Sequence, residues 1–232
     1  MKTFTFQVAG AAVLALCASA PLQAQQAAGS PVRGGTIAVP IHVGEPSTYD
    51  CHATNSPAVM WRIAPHYSTL LKIDPDQFPR VVGDLAKSWT VSPDQLEYRF
   101  TLNSNVKFHD GSVMTSADVK ASFDRMRNPP PGVVSLRQGM LSGIQSIETP
   151  DDHTIVFRFG HASTTSLQLL AMPYACIYSA KLMASDPSYP LKRVMGTGPF
   201  RFVRHTPGAD WVGERFEGYF GAGKPYLDGF RM

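Results

Sequence analysis

The chain has 232 residues, 44% hydrophobic and 17% charged, which excludes both an intrinsically disordered and a membrane-embedded composition. Its formal net charge of +3, without any Lys/Arg cluster, leaves no electrostatic footprint for nucleic acid. The length suits one large or two small domains.

The N-terminus reads as an export signal over residues 1–24. Lys2 gives a positive start, and Val8–Ala20 is an apolar run too short to span a bilayer. Pro21 disfavours cleavage after Ala20, so cleavage is expected after Ala24, behind Leu22-Gln23-Ala24. Cys17 suggests a lipid anchor, but the bulky Leu16 before it argues against one. No other stretch is long and apolar enough for a transmembrane helix, so an exported, soluble, periplasmic protein is expected. Two cysteines then remain, Cys51 and Cys176. Export would allow them to pair, but their wide separation favours two unpaired, buried thiols.

Residues 25–35 form a Gln/Ala/Gly/Pro-rich leader expected to be flexible. Thr36–Val43 alternates loosely and predicts a first strand. A loop over Gly44–Ser56 follows. Ser56-Pro57 looks like an N-cap with proline at the first helical position. Met60, Ile63, Tyr67, Leu70 and Leu71 continue at helical spacing, with Pro65 as a kink or break. Leu71–Ile73 predicts a short strand and Asp84–Lys87 a helical turn. Trp89 and Val91 begin a hairpin with Leu96–Leu102, where Leu96, Tyr98, Phe100 and Leu102 alternate with polar residues. His109-Asp110-Gly111 supplies a turn. Thr115 and Asp118 make a capping-box-like start to a helix carrying Val119, Phe123 and Met126, and the prolines after Asn128 end it.

Gly132–Gly139 reads as loop or short helix. Ile144–Glu148 and Thr154–Phe159 predict a second hairpin with Ile155, Phe157 and Phe159 inward. Helices are expected over Ser163–Met172 and Ser179–Ala184. A turn at Gly196–Pro199 leads into a hairpin over Phe200–Val203 and Trp211–Arg215, and Leu227–Met232 begins another strand. A strand that stops at Met232 without a cap suggests an interrupted protein. Trp61, Trp89, Phe100, Phe108 and Phe123 fall at core spacing. Tyr49, Tyr174 and Tyr178 lie in loops or at element ends, where an aromatic can touch a ligand.

Chemical motifs are sparse. Gly-x-Ser-x-Gly, Walker and His-Glu-x-x-His patterns do not occur. His109-Asp110 is turn chemistry rather than an acid–base pair, with Asp110 accepting backbone hydrogen bonds. His42, His52 and Glu45, with Asp50 and Cys51 nearby, could form a metal-assisted hydrolase site, but no two sit at tight ligand spacing. No metal or cofactor is expected, and a binding protein is preferred to an enzyme.

Six phrases occur in order: Gly34-Gly35-Thr36-Ile37; Asp84-Leu85-Ala86-Lys87-Ser88-Trp89; Tyr98–Leu102 leading to Val106–Gly111; Thr115–Val119; Gly196-Thr197-Gly198-Pro199-Phe200; and Gly223–Asp228. Together they resemble the extracellular solute-binding protein family 5, the peptide- and nickel-binding receptors of ABC importers. One departure is Phe216, which stands where the family usually has Asn.

The resemblance implies a mixed-sheet α/β fold of the type II periplasmic-binding-protein kind. It implies the first lobe only, with core segments 36–71 and 187–232, an inserted α+β subdomain over 72–186, and the second lobe missing. It further implies a monomer that captures a peptide-like or other small solute for ABC permease subunits in the inner membrane. Ligand contacts are expected from Asp50, Cys51, His52, Asn55 and Ser56, chiefly through backbone groups with the side chains of Asn55 and Ser56. Tyr174 and the Gly196, Thr197 and Gly198 turn complete the set. These phrases are shared by receptors for peptides, nickel complexes, haem and sugars, because they build the lobe and do not read the ligand.

Overall fold

The computed structural model describes residues 31–232. The signal segment, the cleavage point after Ala24, Cys17 and most of the leader lie outside the described residues. Residues Val32–Met232 form one compact unit, built of a mixed four-stranded sheet, an antiparallel four-stranded sheet and a two-stranded ribbon.

The mixed sheet is assembled from the two ends of the unit. Strand β1 (Thr36–Ala38) pairs in parallel with β10 (Gly229–Arg231), which is antiparallel to β9 (Asp210–Arg215), itself antiparallel to β8 (Phe200–Thr206). Gly208, at φ +72°, closes the β8–β9 hairpin. The expected first strand over Thr36–Val43 stops at Ala38, because Pro40 cannot donate a ladder bond. The last leader residues are fixed rather than free: Gly34 N donates to Tyr226 O at 2.8 Å and Gly35 N to Asp228 Oδ2 at 2.7 Å.

Helix α1 (Pro57–Ile63) starts at Ser56 as expected but does not reach Leu71. Pro65 ends it, and Ala64–His66 forms a 3-10 turn instead. With the mixed sheet, α1 buries Val59, Met60, Ile63, Trp211 and Phe230. Trp61, expected in the core, is 53% exposed.

The second core lies on the antiparallel sheet, ordered β4 (Ala86–Val91), β5 (Glu97–Leu102), β7 (Thr154–Phe159), β6 (Ile144–Asp151). Ile155, Phe157 and Phe159 point inward. Helix α2 (Ser116–Arg127) packs Phe123 edge-on against Phe157, with ring centroids 5.0 Å apart. Its start is a capping box, in which the Asp118 carboxylate accepts from Thr115 N at 2.7 Å. The ribbon pairs β2 (Leu71–Ile73) with β3 (Val81–Gly83).

The helical turn expected over Asp84–Lys87 is absent. Asp84 N and Ala86 N donate to Leu70 O, and Leu85 N to Thr69 O, drawing the segment into extended pairing. Gly132–Gly139 is turn and loop. The helix expected over Ser163–Met172 is reduced to α3 (Ser166–Leu170). Helix α4 (Ala180–Ser185) begins at its Ser179 cap, and α5 (Tyr189–Lys192) is a further single turn.

Two aromatic truncations separate core from surface. Phe123→Ala should lower unfolding stability by about 3–5 kcal/mol, whereas Trp61→Ala should stay within about 0.5 kcal/mol of the parent. Urea unfolding followed by circular dichroism measures both.

Candidate functional site

The loop before α1 is held by a buried polar cluster. Asp50 is 1% exposed and pairs with Arg125 of α2, its Oδ2 accepting from Arg125 Nη2 at 2.6 Å and its Oδ1 from Arg125 Nη1 at 3.2 Å. Asp50 Oδ1 also accepts from His52 N at 3.0 Å and from the Tyr178 hydroxyl at 2.9 Å. That hydroxyl in turn accepts from Cys51 N at 2.8 Å.

His52 Nε2 faces the carbonyl of Cys176 at 3.0 Å and must donate to it, so Nδ1 is the lone-pair nitrogen, and Arg125 Nη1 donates to it at 3.0 Å. Burial, outweighing the attraction of Asp50, holds the His52 pKa down to about 4, so the neutral ring that this network needs is the form present at neutral pH. Burial pushes the Tyr178 hydroxyl well above its ordinary range, and the Asp50 charge adds to that.

Cys51 and Cys176 are disulfide-bonded, with Cα atoms 6.1 Å apart. The expectation of two unpaired thiols is therefore corrected: the fold closes a separation of 125 residues, which sequence spacing does not report. Tyr178, expected at the surface, is fully buried beneath the same loop.

Asp50, Cys51 and His52 thus spend their side chains inward. After them Thr54 is still buried, Asn55 is exposed and Ser56 half-buried. Tyr174, also half-buried, lies against Arg137, whose guanidinium carbon stands 4.1 Å from the ring centroid. Arg137 Nη2 donates to Thr54 O at 2.8 Å, so one cation bridges the Asn55 loop to Tyr174. Sequence reading missed Arg125 and Arg137, because their partners lie 75 and 83 residues away.

The Gly196–Pro199 turn is fixed by different means. Cβ atoms added at Gly196 and Gly198 would fall 2.4 and 2.5 Å from the backbone of His66, so only glycine fits against the 3-10 turn. His109 Nε2 donates to Gly198 O at 3.0 Å, its backbone N donates to Gly196 O at 2.9 Å, and the ring packs edge-on against Phe216 at 4.9 Å. His109 therefore does more than form a turn, while Asp110 Oδ1 accepts from Ser112 N at 3.0 Å in the expected way. Thr197 is fully buried and its hydroxyl has no partner. Pro199 and Cys176 share a concavity of ≈ 450 Å³ with Tyr67, Ser68, Thr69 and Pro173.

The metal alternative is not assembled. His52 is committed to Arg125 and Cys176. Glu45 Oε2 accepts from His205 Nε2 at 2.7 Å, leaving His205 Nδ1 to accept from the Tyr49 hydroxyl at 2.8 Å. Among the described residues no three His, Cys, Asp or Glu side chains gather as metal ligands.

The model of the bacterial extracellular solute-binding proteins, family 5 (middle portion), matches residues 80–232. That is more than half of the chain, and the chain belongs to this family. It is 34% identical over 163 residues to the glutathione-binding protein GsiB of Pectobacterium atrosepticum, covering 70% of this chain and 31% of that one. A Brucella ovis protein, described as a candidate ABC transporter peptide-binding protein, is 38% identical over 146 residues, covering 60% and 27%.

Among solved structures, AgaA of A. tumefaciens R10 in complex with agropinic acid matches with a TM-score of 0.75 at 34% identity, covering 81% of this chain and 37% of that one. DppA of Helicobacter pylori in complex with the peptide STSA matches with a TM-score of 0.78 at 26% identity, covering 87% and 43%. The chain thus spans about a third of the length of these curated relatives, and the fold is the mixed α/β architecture of that structural class.

Two outcomes test the cluster. Arg125→Met, which leaves the Asp50 carboxylate buried without its cation, should cost about 3–5 kcal/mol, and Asp50→Asn in the same chain should recover part of that loss. The pH dependence follows from two buried imidazoles. Burial lowers the pKa of His52 to about 4 and that of His66 to about 3, against 6.5 for the unfolded chain. Below 6.5 the unfolded state binds protons that the folded state refuses, so this contribution is complete above 6.5 and declines as pH falls toward 4. The urea midpoint should drop across that window and not rise.

Proposed function

We propose that the chain provides the first lobe of a periplasmic solute receptor of an ABC importer, which captures a peptide-like or other small solute and catalyses no reaction on it. The observation that carries this reading is the match, over more than four fifths of the chain, to solved binding proteins holding a peptide and agropinic acid. The name of the glutathione-binding relative points the same way. The Cys51–Cys176 disulfide suits an oxidising, extracytoplasmic compartment. Membership of an extracellular family agrees with that location.

In this reading Asn55 and Ser56 contact the solute from the loop that Asp50, Cys51 and His52 hold rigid from beneath. Tyr174 flanks them, and the backbone of Gly196, Thr197 and Gly198 forms the cleft floor. Capture would follow from solute bridging this lobe and a second one, shifting an open–closed equilibrium that a membrane permease senses. A single lobe makes only part of the contacts, so weak binding is expected.

The test is a 1H–15N spectrum of the chain titrated with trialanine at millimolar concentration. Saturable amide shifts should centre on Asn55, Ser56, Tyr174 and the Gly196–Gly198 turn. A spectrum that does not move, or moves only elsewhere, overturns the assignment.

A further inference from the structure

Three arginines of the described residues are nearly enclosed: Arg62 at 6% exposure, Arg125 at 5% and Arg137 at 5%. A guanidinium withdrawn from water is costly unless its charge and its donors are answered. Arg125 has the Asp50 carboxylate, although its Nε, like that of Arg137, is enclosed with no acceptor. Arg62 donates to two carbonyls, Gly44 O at 2.9 Å and Ala58 O at 2.6 Å. Arg137 differs from both in having no carboxylate and only a single carbonyl. It donates to one carbonyl, Thr54 O, and its Nε is enclosed with no acceptor. No carboxylate among the described residues pairs with it within 4.0 Å. Its charge is met only by the face of Tyr174.

We propose that Arg137 is a solute-anion receptor: it binds the carboxylate of the captured solute, with Tyr174 as the movable cover that the carboxylate displaces or slides beside. The proposal rests on the solute-binding reading above and deepens it by naming the chemical group recognised.

Three features favour it over a purely structural role. The cation lies between Thr54, whose neighbour Asn55 is exposed, and the half-buried Tyr174, so it lies beside both candidate contact residues. The unanswered Nε lies on the guanidinium edge that, with an Nη, forms the two-donor fork matching a planar carboxylate. A packing role would be served as well by an uncharged chain, which would not carry the cost of an unpaired buried cation.

The experiment compares the wild-type chain with Arg137→Gln and Arg137→Lys, using acetate, acetamide, trialanine and trialanine amide as probes. Acetate should move the Arg137 Nε–H resonance downfield and saturably, and acetamide should not. Trialanine should bind wild type about tenfold tighter than its amide. That preference should collapse in Arg137→Gln and survive in part in Arg137→Lys, which keeps the charge but not the fork. In water without probe, Arg137→Gln should unfold at a urea midpoint equal to or above that of wild type.

Equal response to acetate and acetamide overturns the proposal, as does an undiminished preference in Arg137→Gln. A marked loss of stability in Arg137→Gln would show a structural role and overturn it as well. If trialanine and its amide bind equally at Asn55 and the Gly196–Gly198 turn, the solute-binding reading stands and the Arg137 assignment falls. If acetate engages Arg137 while neither peptide shifts any amide, the anion site stands and the peptide reading falls.

Discussion

The buried Asp50–Arg125 pair is the constraint on which the rest of the lobe depends. It joins three segments distant in sequence: the loop entering α1, the C-terminal half of α2 and the run through Cys176 and Tyr178. Asp50 and α1 belong to the core under the mixed sheet, while α2 belongs to the core on the antiparallel sheet. A buried ion pair adds little net stability over an apolar substitute. Its effect here is to penalise misassembly, since any arrangement that separates the two cores strands a carboxylate and a guanidinium in apolar surroundings. The disulfide beside it ties the loop before α1 covalently to the Cys176 segment, within the core under the mixed sheet.

The imidazoles extend this junction. His52 accepts a hydrogen bond from a cation, and His66 Nε2 accepts one from the indole of Trp211 at 2.9 Å, while each ring's other nitrogen donates to a carbonyl. Each therefore works only as the neutral ring. His66 joins the 3-10 turn to β8 and β9, and the same turn is what Gly196 and Gly198 pack against. Tyr67, the residue after that turn, meets the Tyr178 ring edge-on at 5.4 Å, and so buried rings connect the two candidate contact loops.

Local chemistry made the scaffold legible in the sequence. Alternation marked β5 and β7, the Thr115–Asp118 box marked the start of α2, and Pro57 and Pro65 marked where α1 begins and fails. What escaped were features made by tertiary closure. Asp84–Lys87 resembles a helical turn until Leu70 and Thr69 offer carbonyls to its amides. Cys51 and Cys176 give no sign of pairing until α2 and the Tyr178 segment bring them together. Tyr178 reads as a loop aromatic, yet it is the group to which both Asp50 and Cys51 bond. The Gly196–Pro199 turn belongs to a family phrase and the Asp50–Ser56 loop does not, and the inward role of Asp50, Cys51 and His52 had no sequence signature, because Arg125 is an ordinary polar position on an amphipathic helix.

The geometry also separates what holds the loops from what they present. In the Asp50–Ser56 loop, the first three side chains are consumed internally, so that Asn55 and Ser56 emerge from a backbone with little freedom left. In the Gly196–Pro199 turn, Gly196, Thr197 and Gly198 are themselves buried, and their carbonyls accept from His109 and Ser68, so the turn is held rigid from within. A backbone pinned at both ends loses less entropy when a solute settles against it than a mobile loop would. In the proposed reading, such a surface would take an extended, hydrogen-bonding molecule without specifying which one. On that reading, discrimination would come from the side chains beside the Asp50–Ser56 loop, the exposed Asn55, the half-buried Tyr174 and the buried Arg137 behind it.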